Sequence, residues 1–122
     1  MRTLGAELVR VEAGAVEIVA PVLDEMRQQH GFAHAAVSFA LGDSAAGYAA
    51  LSLMEGPDEV LTVEMKINLL APAQGARLHA KGHVVRPGRR LVVVGAEVWA
   101  ETDGGAVQVA LLQGTMIPVR PG

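Results

Sequence analysis

The chain has 122 residues, with ten Lys and Arg against thirteen Asp and Glu and a formal charge of −3. That length makes one domain, residues 1–122, with room for a real core, and the net negative charge argues against general nucleic-acid binding. Cysteine is absent, which excludes disulfides, thiolate nucleophiles and cysteine-bound zinc and fits a cytoplasmic protein.

The first residues, MRTLGAELVRVEAG, hold no apolar run of signal-peptide length. Ala6–Val11 and Ala15–Ala20 read as two strands joined at Ala13-Gly14, with Val16, Ile18 and Ala20 on one face. Pro21–Gln29 is a polar connection. The stretch from His30 to Met54, HGFAHAAVSFALGDSAAGYAALSLM, predicts one long helix that the rest of the chain surrounds. Glu55-Gly56-Pro57-Asp58 stops it. As a transmembrane span the segment is weakened by a central Asp, three serines and three glycines.

Beyond Pro57, Glu59–Leu70 alternates with period two. Leu61, Val63, Met65, Ile67 and Leu69 share one face, and Thr62, Glu64, Lys66 and Asn68 the other. Ala76–Arg86 alternates again, with Leu78, Ala80 and Val84 opposite Arg77, His79, Lys81 and His83. Pro87-Gly88 is a tight turn. Arg90–Glu101 is a strand whose start is apolar on both faces, Asp103-Gly104-Gly105 a hairpin turn, and Ala106–Met116 the last strand, ended by Pro118. The order predicts an α+β fold: one antiparallel sheet of about six strands, the last four in antiparallel succession, curled around one helix.

Asp43 is the only acidic or basic side chain between Ala35 and Met54. An ionised carboxylate on a buried helix costs several kcal/mol unless compensated. Folding does not require it, so Asp43 is a candidate base or nucleophile. At the helix start, the N–H groups of Ala35 and Ala36 lack intrahelical partners and suit an anion or oxyanion. His34 and Asp43 lie nine residues apart, ~13 Å along a helix and on opposite sides of it. A site using both ends most simply takes one from each of two chains. His30, His34, His79 and His83 do not form a metal site, because the 79/83 pair would stand ~13 Å apart on a strand. Arg77–Arg90 holds five of the ten basic residues and no acid, a local positive field suited to phosphates.

Three segments carry a resemblance: HGFAHAAVSFALGDSAAGYAA, LTVEMKINLLAPAQG and GHVVRPGRRLVVVGAEV. Together they resemble the hotdog-fold acyl-CoA thioesterases of the phenylacetate-degradation (PaaI-like) type. The likeness spans Leu4 to Met116. It implies the hotdog fold, a curved sheet around one long buried helix, and hydrolysis of an acyl- or aryl-CoA thioester. By resemblance, Asp43 is base or nucleophile and the Ala35 N–H the oxyanion donor across a homodimer interface. Gln28, or neighbouring Gln29, holds the carbonyl or the attacking water. His34 hydrogen-bonds near the carbonyl or orients its loop. Thr62 assists from the strand, although the alternation places it on the outward face. Arg89 and Arg90, with Arg86 behind them, meet the nucleotide of coenzyme A at the Gly88 turn.

The resemblance implies no cofactor beyond the coenzyme A of the substrate, no metal, no membrane, and a homodimer that pairs into a dimer of dimers. The family's usual His-Gly-Gly is here His34-Ala35-Ala36. That substitution keeps a second reading open, a hotdog module that binds acyl-CoA or another apolar ligand with little turnover. A hydratase on the same fold would need a His five residues after the Asp, where this chain has Tyr48.

Overall fold

A computed structural model describes residues 5–22 and 35–120. Six strands form one antiparallel sheet: β1 (Glu7–Glu12), β2 (Ala15–Pro21), β3 (Glu59–Leu69), β4 (Arg77–Pro87), β5 (Val92–Thr102) and β6 (Gly105–Val119). The helix α1 (Ala35–Leu51) packs on one face of that sheet, chiefly against β4 and β5. This is the hotdog arrangement that the resemblance implies.

The strand order is β1-β2-β4-β5-β6-β3. The last four strands are therefore not in simple succession. β4, β5 and β6 form a meander, while β3 crosses to the far edge and pairs with β6 from Glu59 opposite Val119 to Leu69 opposite Ala110. Chain order between the helix and Pro72 gives no sign of that crossing, because alternation fixes faces and not neighbours.

Helix and sheet meet closely because both contribute small residues. Ala45, Ala46, Ala49 and Ala50 are fully buried, facing Ala80, Val94, Ala96 and Val98 of the sheet. At Gly82 in β4 any Cβ would fall on the backbone of Ala45 and Ala46, so the helix axis lies nearer the sheet than larger side chains allow. Larger side chains, Ile18, Leu41, Leu78, Leu112 and Met116, fill the rest of the core.

Four further expectations need correction. First, α1 ends at Leu51, before the Glu55-Gly56-Pro57 stop, and Ser52 closes it with its hydroxyl donating to the Ala49 carbonyl at 2.6 Å. Second, the helix is not enclosed: one sheet covers one side, leaving Ala35, Ala36, Phe39 and Tyr48 exposed. Third, β6 runs through Pro118 to Val119. β5 has ended its pairing at Met116, so Pro118 stands where no second ladder needs its missing N–H. Fourth, a β-bulge between Thr62 and Glu64 breaks the period of β3. Val60 and Thr62 turn toward the helix and Leu61 and Val63 outward, each more than half exposed. Only Met65 and Ile67 keep the inward face that the alternation assigns them.

Candidate active site

Asp43 sits in the middle of α1, on the side toward β3, where the sheet ends and the helix is half-covered. The bulge in β3 aims Thr62 at it, and the Thr62 hydroxyl donates to Asp43 Oδ1 at 2.9 Å. The carboxylate is half-buried, not enclosed. One oxygen thus accepts the hydroxyl, and the residue borders open space. A cavity of about 320 Å³ opens there, lined by Asp43, Ser44, Gly47, Tyr48, Leu51, Val60 and Thr62. Its polar end is the Asp43–Thr62 pair. Its far end is apolar, one to two helical turns on.

Ala35 is the first described residue of α1 and is exposed. Its N–H lies in the first turn, where helical amides have no partner four residues back. Ala35 and Asp43 are eight residues apart, ~12 Å of helix rise. One carbonyl cannot meet both within a single chain. Gln28 and His34, together with Gln29, lie outside the described residues.

The basic segment divides into two groups. Arg77 makes a two-pronged contact with Glu101, Nε at 3.0 Å and Nη2 at 3.1 Å. Lys81 stands 5.9 Å from the centre of the Trp99 ring. Both lie on the outer face of the sheet, away from the helix. Arg86, Arg89 and Arg90 are exposed and form no ion pair among the described residues. Their turn is tight: Gly88 N–H donates to the Arg86 carbonyl at 3.2 Å, and a Cβ at Gly88 would collide with the Leu91 carbonyl oxygen.

Arg89 borders a second cavity of about 360 Å³ at the C-terminal end of α1, with Ala50, Met54, Pro87 and Arg120 among its walls. Arg120, which the sequence did not single out, spans Glu55 at 3.1 Å and Asp58 at 3.3 Å there. Nothing in its position after Pro118 signals that bridge. Asp43 and the arginine turn are therefore separate, one at mid-helix and the other beyond its end. Among the described residues no cluster of three or more His, Asp or Glu is placed to hold a metal ion, and no helix is long and apolar enough to cross a membrane.

The family model described as "Thioesterase superfamily" matches residues 30–107, which take in the helix, Asp43, Thr62 and the arginine turn. The chain belongs to the thioesterase superfamily. It is a hotdog-fold thioester hydrolase. A solved thioesterase family protein from Silicibacter pomeroyi is 43% identical, over 99% of this chain and 89% of that one, with a TM-score of 0.97. The 1,4-dihydroxy-2-naphthoyl-CoA hydrolase of Listeria monocytogenes is 29% identical over 83% of this chain and 82% of its own length. The PaaI protein from the phenylacetic acid degradation operon of E. coli, 24% identical over 99% of this chain and 83% of that one, superposes with a TM-score of 0.84 and shares the fold.

Proposed function

We propose that this thioesterase hydrolyses an acyl-CoA to a carboxylic acid and free CoA, at a site completed by two copies of the chain. The observation that carries the reading is the Thr62 hydroxyl on Asp43 Oδ1. It fixes the rotamer of a carboxylate that faces a cavity and leaves its second oxygen free to work.

In this scheme Asp43 Oδ2 accepts a proton from a water as that water attacks the thioester carbonyl. Direct attack by Asp43, followed by hydrolysis of the anhydride, is the covalent variant. The carbonyl electrons move onto oxygen, where the Ala35 N–H of a second copy receives the charge at a helix N-terminus. Collapse breaks the C–S bond, and the departing CoA sulfur takes up the proton and leaves as thiol. Gln28 and His34 hold the carbonyl or the attacking water. Arg86, Arg89 and Arg90, which form no ion pair among the described residues, meet the nucleotide phosphates. Aspartate, water and a backbone donor suffice, so the scheme calls for no metal or redox cofactor.

Two features support the shared site. Ala35 and Asp43 are too far apart to act on one carbonyl from one chain. The β3 edge also leaves Leu61 and Val63 exposed, and α1 leaves Phe39 and Tyr48 exposed, apolar surface that a second copy can cover.

The test is free-thiol release from acetyl-, hexanoyl-, decanoyl- and benzoyl-CoA by the wild type and by Asp43→Asn. Release that collapses in the variant supports the scheme. Binding of the esters without release by either protein would favour a ligand-holding module, with Ala35-Ala36 as the cause to examine.

A further inference from the structure

The two glycines of α1 that face inward have different surroundings. A Cβ at Gly42 would come within 2.7 Å of Leu112 Cδ1, so the core requires glycine there. A Cβ at Gly47 would meet Val60 Cγ1 at 3.8 Å and the Met116 side chain at 3.9 Å, ordinary van der Waals contact. Packing does not require glycine at 47, and a helix interior disfavours it by ~1 kcal/mol relative to alanine. What Gly47 does border is the cavity beside Asp43.

The cavity has a direction. Thr62 is beside Asp43 and Val60 is beside Gly47, so β3 and α1 form two walls that run together away from the carboxylate. Gly47, Val60 and Leu51 give the far part an apolar lining, and Tyr48, 42% exposed, stands at its rim. From Asp43 to Leu51 is eight residues, or ~12 Å of rise. That length matches an aromatic ring or a medium alkyl chain.

We propose that Gly47 and Tyr48 gauge the acyl group. Gly47 keeps the floor of the slot open, Tyr48 flanks the group that enters, and the substrates are CoA esters of apolar aryl or medium-chain acids. This rests on the acyl-CoA reading above. The thioester carbon lies at Asp43 and the acyl group extends along α1 toward Leu51. Ring and chain present the same apolar surface to this slot, and separate substrates tell them apart.

The experiment measures kcat/KM of the wild type, Gly47→Ala and Tyr48→Ala on acetyl-, hexanoyl-, decanoyl- and benzoyl-CoA. Gly47→Ala fits the fold by the contacts above, and Tyr48→Ala removes a largely exposed side chain. Circular dichroism and the melting temperature confirm that each variant is folded. For Gly47→Ala the expected result is a loss of about tenfold on hexanoyl- or benzoyl-CoA, whichever the wild type prefers, with acetyl-CoA nearly unchanged, as one methyl group does in a shaped pocket.

Tyr48→Ala should raise decanoyl-CoA relative to hexanoyl-CoA. A concurrent fall on benzoyl-CoA alone would assign the slot to rings. Parallel changes on all four esters would overturn the gauge while leaving the hydrolase reading intact. A wild type inert on the whole panel would overturn both.

Discussion

Two carboxylates of this molecule, Glu101 and Asp43, are held in opposite ways. Glu101, on the outer face, is engaged at both oxygens. Its two oxygens accept both prongs of Arg77, and His79 Nε2 lies 2.9 Å from Oε2. The hydrogen bonds from Arg77, then from His79, hold its pKa below the usual glutamate range. His79 in turn reaches Glu17 at 3.3 Å, so β2, β4 and β5 are tied across the surface. Among the described residues Asp43 has one hydrogen-bond partner, the neutral Thr62 hydroxyl on Oδ1, and it borders a cavity. The richer network is the one in which both carboxylate oxygens already accept charged or ring N–H donors. Charge density alone points to the outer face of the sheet and not to Asp43.

The sharpest way to break that contrast is to neutralise both acids in turn. Asp43→Asn should lower kcat on the preferred acyl-CoA by roughly 10²–10⁴-fold, the range for loss of a general base. Glu101→Gln should leave kcat close to wild type. A comparable loss in both would mean that the outer network feeds the site.

Next in size is Thr62, the one side chain among the described residues that hydrogen-bonds Asp43. Thr62→Val keeps the shape and removes the hydroxyl, with an expected fall in kcat of about tenfold, the worth of one hydrogen bond to a charged group. KM should hardly move, and Thr62→Ser should restore most of the rate. A loss that Ser does not rescue would assign Thr62 to packing.

Much of this contrast was legible in the sequence, though unevenly. Asp43 stood out because an ionisable residue in a long apolar helix needs a reason. Gly88 and the hairpin at Asp103-Gly104 declared themselves through turn chemistry. Thr62 was misplaced to the outward face because period two was carried through Val63, where the bulge inserts one residue and reverses the register. No residue type there announces the bulge. The segment Arg77–Arg90 read as a single positive field because Glu101, which neutralises Arg77, lies 24 residues away and comes alongside only when β4 pairs with β5. Gly47 drew no notice, since its meaning depends on what a Cβ would meet.

The two groups of arginines extend the comparison to smaller effects. Arg89 lines the cavity beyond α1 and forms no ion pair among the described residues, whereas Arg77 is spent on Glu101. Arg89→Ala should raise KM for acyl-CoA by a few-fold to about tenfold, as expected of one exposed phosphate contact, with kcat little changed. Arg77→Ala should leave KM unaltered. The Arg89 effect should also shrink in high salt, because an exposed charge pair is screened. Equal KM shifts for the two would mean that the whole basic segment acts as one diffuse field.

The smallest effect concerns stability on the outer face. The fold lowers the pKa of Glu101, so the unfolded chain binds a proton there before the folded one does as pH falls. Its contribution to stability is therefore complete above the ordinary glutamate range. It is lost as pH drops through the lowered folded value. Glu101→Gln should accordingly melt slightly below wild type at pH 7, and the gap should narrow as the solution is acidified past the glutamate range. The gap should stay small throughout, because Glu101 and Arg77 are both well exposed and water competes for them. A gap that widened in acid would contradict the lowered pKa. A large gap at pH 7 would mean that the tie across β2, β4 and β5 carries far more of the sheet's stability than exposed pairs do, and would move the outer face from trim to framework.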